Sequence, residues 1–221
     1  MNKQIAIFRT MMLLFVCINL TFTSIACTKN KGKTMNNDNK INEENLDTVT
    51  LGAGCFWCVE AIFEELKGVK KVVSGYSGGH VENPSYKEVC TENTGHAEVC
   101  QITYDPNVLS FRELLQVFWK THDPTTLNRQ ENNVGTQYRS AIFYHNLEQK
   151  NEAEKLKEEL DNSGAFDDPI VTEISEYKNF YKAEDYHQQY YEMNGEAPYC
   201  KQVIEPKLEK FRKVFEDKLK E

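Results

Sequence analysis

Apolar residues recur along this chain in two periods, and the period changes where the element type is expected to change. A repeat of two marks strands. "TVTLGAG", Thr48 to Gly54, reads as a short strand running into a glycine-rich turn. "VKKVVSGYSGG" reads as a strand closed by glycines, and "AEVCQITYDP" sets Glu98, Cys100, Ile102 and Tyr104 on one face. "RSAIFYH" and "PIVTEIS" are two further strands. A repeat of three to four marks helices. Phe56, Val59, Phe63 and Leu66 lie at helical spacing, with Gly68 expected to end that helix. "SFRELLQVFWK" opens with a capping box, Ser110 and Glu113, and Asn146 to Ser163 is a long amphipathic helix stopped by Gly164. "AEDYHQQYYEM" is expected to be one helix, and Pro206 to open a last one. The order lacks the regular βα alternation of a doubly wound sheet. It predicts an α+β two-layer sandwich, a mixed or antiparallel sheet with flanking helices, of ferredoxin-like type.

The N-terminus follows a different rule. Lys3 and Arg9 precede an apolar run, Met11 to Phe22, too short for a comfortable membrane span but suited to a signal-peptide core. It ends in "TSIAC", which resembles a bacterial lipobox with Ser24 where a Leu is usual, and so marks Cys27 for lipidation. Residues 1–27 are therefore read as a leader, 28–46 as a flexible polar tether, and 47–221 as one catalytic domain. The expected location is an exported lipoprotein facing the periplasm or cell exterior; the alternative is a cleaved, soluble form. The 221 residues carry a net charge of −8, and no basic face is concentrated, which argues against nucleic-acid binding. The lysines from Lys207 to Lys220 alternate with acids and read as a solvated helix face.

Beyond the leader, five cysteines remain: Cys55, Cys58, Cys90, Cys100 and Cys200. Their odd number, in a chain with ample core, argues against a disulfide framework. One close pair without a second argues against structural zinc, so no metal site is expected. Cys100 lies in an apolar strand as a small hydrophobe, and Cys90 in a more exposed loop. Cys55 differs from these. It follows "GAG" at a strand-to-helix turn, where unpaired backbone N–H groups and the helix dipole favour an anion. The expectation is a lowered thiol pKa and a nucleophile at neutral pH, with Phe56 and Trp57 walling an apolar pocket beside it.

"GCFW" opening a helix, with "SGYSGG", "NPSYKEVC", "TGHAEVCQITYDP", "THDPTTLNRQ", "GTQYRSAIF", "FYKAEDYHQQYY" and "YC" following in order, resembles the peptide methionine sulfoxide reductase A family from Thr50 to Phe215. The resemblance implies reduction of the S epimer of methionine sulfoxide, free or in proteins, to methionine. It assigns Cys55 as the attacking thiolate, which becomes a sulfenic acid, and Glu98 as the acid that protonates the departing oxygen. Desolvation would keep that carboxyl protonated. Tyr86 and Tyr138 match the tyrosines that hydrogen-bond the sulfoxide oxygen, and Phe56 and Trp57 the walls around the methyl group. His96 is expected to fix its loop by hydrogen bonding, and His187 to serve structure rather than act as a base.

Two positions depart from the family pattern. "ENNVG" carries Asn133 where an Asp is usual in the substrate site, which keeps hydrogen-bonding capacity and loses a charge. Cys58 stands where many relatives carry Gly. Cys200 matches the family's resolving position and is expected to resolve the sulfenic acid first; Cys58 is the alternative resolver, or the relay that faces the reductant. The resemblance implies no metal or organic cofactor and a thioredoxin-like dithiol as reductant; a monomer is the expected state. The rival is a general disulfide oxidoreductase built on Cys55 and Cys58, which would not need Glu98 or Tyr138.

Overall fold

The computed structural model describes residues 45–221, so the leader, Cys27 and nearly all of the tether lie outside the described residues. Strand β1 (Asp47–Ala53) sits inside a six-stranded sheet of order β7-β6-β1-β3-β2-β8. The others are β2 (Val69–Ser77), β3 (Ala97–Tyr104), β6 (Ser140–Tyr144), β7 (Glu173–Glu176) and β8 (Tyr181–Lys182); β4 (Arg129–Gln130) and β5 (Asn133–Val134) form a separate small hairpin. Helix α1 (Phe56–Glu64) joins β1 to β2, and α3 (Phe111–Thr121) lies between β3 and β6. These elements make a βαββαβ unit of strand order β6-β1-β3-β2, antiparallel at every step, which is the ferredoxin-like arrangement. Only β7 runs parallel to its neighbour, β6, and makes the sheet mixed.

The alternation along β3 holds, but both of its faces are buried. Cys100 donates from Sγ to the Phe56 carbonyl at 3.5 Å, so the face carrying Glu98 lies under α1. On the other face Ala97 and Val99 pack with Ala141 and Phe143, covered by Tyr177 and Phe180. The capping box forms as expected: Ser110 Oγ accepts from the Glu113 N–H and the Glu113 carboxylate accepts from the Ser110 N–H. Removing such a cap costs about 1 kcal/mol. Helix α4 (Leu147–Ser163) is capped by Asn146 and ends at Gly164 with φ +65°. Arg112 ties α3 to α4 through ion pairs with Glu152 and Glu159, each 2.5 Å.

Several boundaries differ from the sequence expectation. Helix α1 ends at Glu64, before Gly68, because the chain's last residues draw this segment away: Leu66 bridges Leu219, and the Lys67 N–H donates to the Lys218 carbonyl at 2.8 Å. "PIVTEIS" is extended as a strand only from Glu173. A short helix α2 (Tyr86–Val89), with its own capping box from Ser85 and Glu88, and the hairpin β4–β5 were not expected. "AEDYHQQYYEM" is not one helix. A 3₁₀ turn, Asp185–His187, is followed by Gln189 in the left-handed region (φ +50°) and then α5 (Tyr190–Asn194). Pro206 does sit in the first turn of α6 (Glu205–Val214), but a π-turn, Cys200–Ile204, leads directly into it. Proline lacks an N–H and its ring crowds the carbonyl four residues back; the widened turn relieves both.

Candidate active site

Cys55 is the N-cap residue of α1, 8% exposed, directly after Gly54. Gly54 has φ +88°, and a Cβ there would stand 2.6 Å from the Cβ of Gln130. Only glycine lets the chain turn this tightly against the β4–β5 hairpin. Gln130 in turn is pinned by accepting from the Asp123 N–H at 3.1 Å and donating to the Asp123 carbonyl at 3.0 Å. The hairpin therefore presses on the turn that presents the sulfur.

One turn along, the buried Cys58 thiol stands close enough to Cys55 to shift its titration. This neighbour and then burial push the Cys55 thiol well above its ordinary pKa, against the weaker pull of the Trp57 N–H. The lowered pKa expected from the helix terminus is not realised at rest. Sequence position indicates the dipole but neither the Cys58 neighbour's effect nor the depth of burial, and here these two win. Cys58 moves the other way, brought down by the neighbouring Cys55 thiol and, after burial's opposing effect, by the Lys207 charge.

Glu98 is 1% exposed, and its Oε2 accepts from the Phe56 N–H at 3.1 Å. The carboxyl thus sits over the N-terminus of the helix that Cys55 begins. Burial first, and the Cys55 sulfur second, raise its pKa well above the usual carboxylate range. That direction favours the carboxyl that carries its proton beside the thiol. Tyr138 is pushed up to about 12, mainly by burial, with the Glu98 charge second. Tyr86 is also raised, burial again leading, so both hydroxyls keep their protons. Glu184 fixes Tyr86 by accepting from its N–H at 2.9 Å, while its other oxygen accepts from the Tyr76 hydroxyl at 2.9 Å. Arg139, adjacent to Tyr138, donates to the Thr136 and Gly95 carbonyls and to Glu173, which joins the "GTQYRS" and "GHAE" segments.

The aromatic wall is clamped. The Trp57 indole N–H donates to His187 Nδ1 at 3.1 Å, and the Tyr190 ring stacks on it at 3.6 Å and 7°. His187 also touches Phe56 at 4.9 Å and Tyr86 at 4.6 Å between ring centroids. His96 holds its loop by hydrogen bonding, as expected: its Nδ1 accepts from the Gly79 N–H at 3.1 Å, and its Nε2 meets the Val81 carbonyl at 2.8 Å. Cys90 is exposed, at the end of α2, with its thiol against the Tyr86 hydroxyl.

Sequence reasoning missed Tyr199, although "YC" held it. Its hydroxyl is buried against Cys55, Cys58 and Asn133 and completes no well-formed hydrogen bond. Asn133 thus reaches the site beside Tyr199, from the hairpin. Cys200, next in the chain, is fully buried on the π-turn. Among the described residues no group of three His, Cys, Asp or Glu side chains is arranged to hold a metal, and no helix is long and apolar enough to cross a membrane.

A thiol at a helix start, a buried carboxyl above it, two tyrosine hydroxyls and an aromatic wall form a site for a small polar group attached to an apolar one. The family model described as peptide methionine sulfoxide reductase matches residues 47–219. The chain belongs to the peptide methionine sulfoxide reductase family. Relatives called peptide methionine sulfoxide reductase MsrA include one from Saccharolobus solfataricus, 53% identical over 79% of this chain and 98% of its own length. Another, from Natronomonas pharaonis, is 55% identical over 78% and 97%. Among solved structures, Mxr1 from Saccharomyces cerevisiae in reduced form is 37% identical with a TM-score of 0.65, covering 73% of this chain and 92% of its own. Methionine sulfoxide reductase A of Corynebacterium diphtheriae is 36% identical with a TM-score of 0.62, covering 70% and 77%. The reductase is thus an oxidoreductase acting on methionine sulfoxide in peptides.

Proposed function

We propose that the reductase acts on the S epimer of methionine sulfoxide, free or in proteins, through Cys55 and Glu98. The observation that carries this reading is the buried Glu98 carboxyl, held 3.1 Å from the first backbone N–H of the helix that Cys55 begins. The substrate methyl group packs against Phe56 and Trp57, its oxygen accepts from Tyr86 and Tyr138, and Asn133 contacts the substrate at the hairpin side. Cys55 gives up its proton as the substrate's polarised sulfur approaches, and its sulfur adds to the sulfoxide sulfur. Glu98 protonates the oxygen as the S–O bond breaks. The freed hydroxide then adds to the Cys55 sulfur and breaks the bond between that sulfur and the methionine sulfur, while the proton given up by Cys55 returns to Glu98, so Cys55 is left as a sulfenic acid and methionine leaves reduced by two electrons.

Cys58 is then the first resolver, ahead of Cys200. Its thiol lies one turn along the helix that Cys55 caps, whereas Cys200 is buried on a separate π-turn. The Cys58 thiolate displaces the hydroxyl from Cys55, which leaves with a proton as water, and the Cys55–Cys58 disulfide forms. An external dithiol of the thioredoxin type returns both thiols, through Cys200 if the π-turn opens. No metal or organic cofactor enters this scheme. The enzyme acts as a monomer and is tethered by a lipid on Cys27; sizing and mass spectrometry of the exported protein test these two points.

The deciding experiment measures methionine release from the separate S and R sulfoxides, with dithiothreitol as reductant. Turnover of S alone, lost in Cys55→Ser, supports the reading; no turnover of S by folded protein contradicts it. Cys58→Ser is expected to keep one burst of methionine and lose thioredoxin-coupled turnover, whereas undiminished turnover returns the first resolving role to Cys200.

A further inference from the structure

Glu60 is a second buried carboxylate on α1, 1% exposed, and no step above uses it. Its partners are O–H and N–H donors rather than a cation. Ser74 donates from Oγ to its Oε1 at 3.1 Å, and the Tyr190 N–H donates to its Oε2 at 3.3 Å. These donors come from β2 and from the break between the 3₁₀ turn and α5, where Gln189 holds φ +50° and ψ +36°. A non-glycine residue in that region needs support from its surroundings.

The same break is fastened from a second side. Gln188 accepts from the Ser74 N–H at 3.1 Å and donates to the Ser74 carbonyl at 3.0 Å and the Ala183 carbonyl at 2.9 Å. Residues 187 and 190, on either side of Gln188 and Gln189, are the two that grip Trp57: His187 by the indole hydrogen bond and Tyr190 by the stack. Glu60 stands three residues after Trp57 on the same helix. It therefore ties the Tyr190 backbone to the helix that carries the ring Tyr190 stacks on.

We propose that Glu60 is a positioning residue for substrate specificity: by accepting the N–H of Tyr190 and the hydroxyl of Ser74 it holds Tyr190 flat on Trp57 and keeps that wall of the methyl pocket in place. This rests on the reading of Trp57 as a substrate wall. A carboxylate suits the task because it offers acceptors only, to donors that all point inward. A glutamine can serve too, its oxygen taking the Tyr190 N–H while its amide donates to the Ser74 hydroxyl.

The test is steady-state kinetics on free methionine S-sulfoxide with the full chain, comparing Glu60→Leu, Glu60→Gln, Tyr190→Ala and Trp57→Ala, with thermal unfolding to check each fold. Glu60→Leu and Tyr190→Ala are expected to raise KM about tenfold, equivalent to about 1.4 kcal/mol of binding, with kcat changed less than about twofold. Glu60→Gln is expected to return KM to near the wild-type value. The double variant Glu60→Leu/Tyr190→Ala is expected to be no worse than either single one, since both break one contact. Should Glu60→Leu fail to fold, Tyr190→Ala carries the same KM outcome. If Trp57→Ala leaves KM unaltered, the wall assignment itself fails. If Trp57→Ala raises KM while Tyr190→Ala does not, or if Glu60→Gln is as damaging as Glu60→Leu, the role given to Glu60 is overturned.

Discussion

Glu98 and Glu60 make an instructive pair. Both are 1% exposed, both contact α1, and burial is the leading cause of a raised pKa in each. They differ in how many donors they serve. Glu98 takes one protein hydrogen bond, from the Phe56 N–H, and faces a thiol and two tyrosines. Glu60 takes two, from Ser74 and Tyr190, one on each oxygen. A buried carboxyl with spare capacity can hold and deliver a proton; one whose two oxygens are both committed to protein donors becomes part of the frame. Burial alone does not separate the two roles.

The largest expected effect contrasts the two directly. Glu98→Gln removes the acid and should lower kcat/KM by about 10²- to 10⁴-fold, the usual contribution of a positioned acid or base. Glu60→Gln keeps its hydrogen bonds and should leave kcat close to wild type. Equal losses in the two variants, read in the methionine-release assay, would erase the distinction.

Stability should order the pair the other way. Glu60→Leu strands buried N–H and O–H donors and is expected to cost about 1–3 kcal/mol in denaturant melts. Glu98→Gln leaves only the Phe56 N–H to satisfy, which an amide oxygen can do, and should be nearly neutral.

How much of this was legible in the sequence follows the reach of each interaction. The Gly54–Cys55 turn, the Ser110 capping box and the Gly164 stop are local, and the spacing of a few residues is enough to expect them. "GHAE" and "GTQYRS" made Glu98 and Tyr138 visible through resemblance. The break at Gln189 was not, because the donors that stabilise it answer to Glu60 and Ser74, more than a hundred residues away in the chain. The β4–β5 hairpin has strands of two residues each, too short for a period to register. The raised pKa of Cys55 depends on Cys58 and on burial, neither of which the helix-end position reports.

The smallest effect concerns pH and Glu64, next on the face of α1 after Glu60. Burial, then the charges of Glu60 and Glu192, raise Glu64 from 4.5 to about 7. The folded protein thus holds a proton that the unfolded chain would release, so the stability this adds at acid pH is lost as pH rises to about 7. Glu64→Gln should flatten that part of the stability–pH curve. An unchanged slope in chemical denaturation would mean that Glu64 is better solvated than its surroundings imply.

The account's central claim is that Glu98 supplies the proton that lets the S–O bond break. Single-turnover methionine release as a function of pH, in wild type and Glu98→Gln, tests it most directly. A donor must be protonated, so the wild-type rate should fall as pH rises through the raised pKa of Glu98, while Glu98→Gln should be slow and lack that falling limb. A Glu98→Gln enzyme that keeps the wild-type rate and the same limb would contradict the claim and move the acid elsewhere in the site.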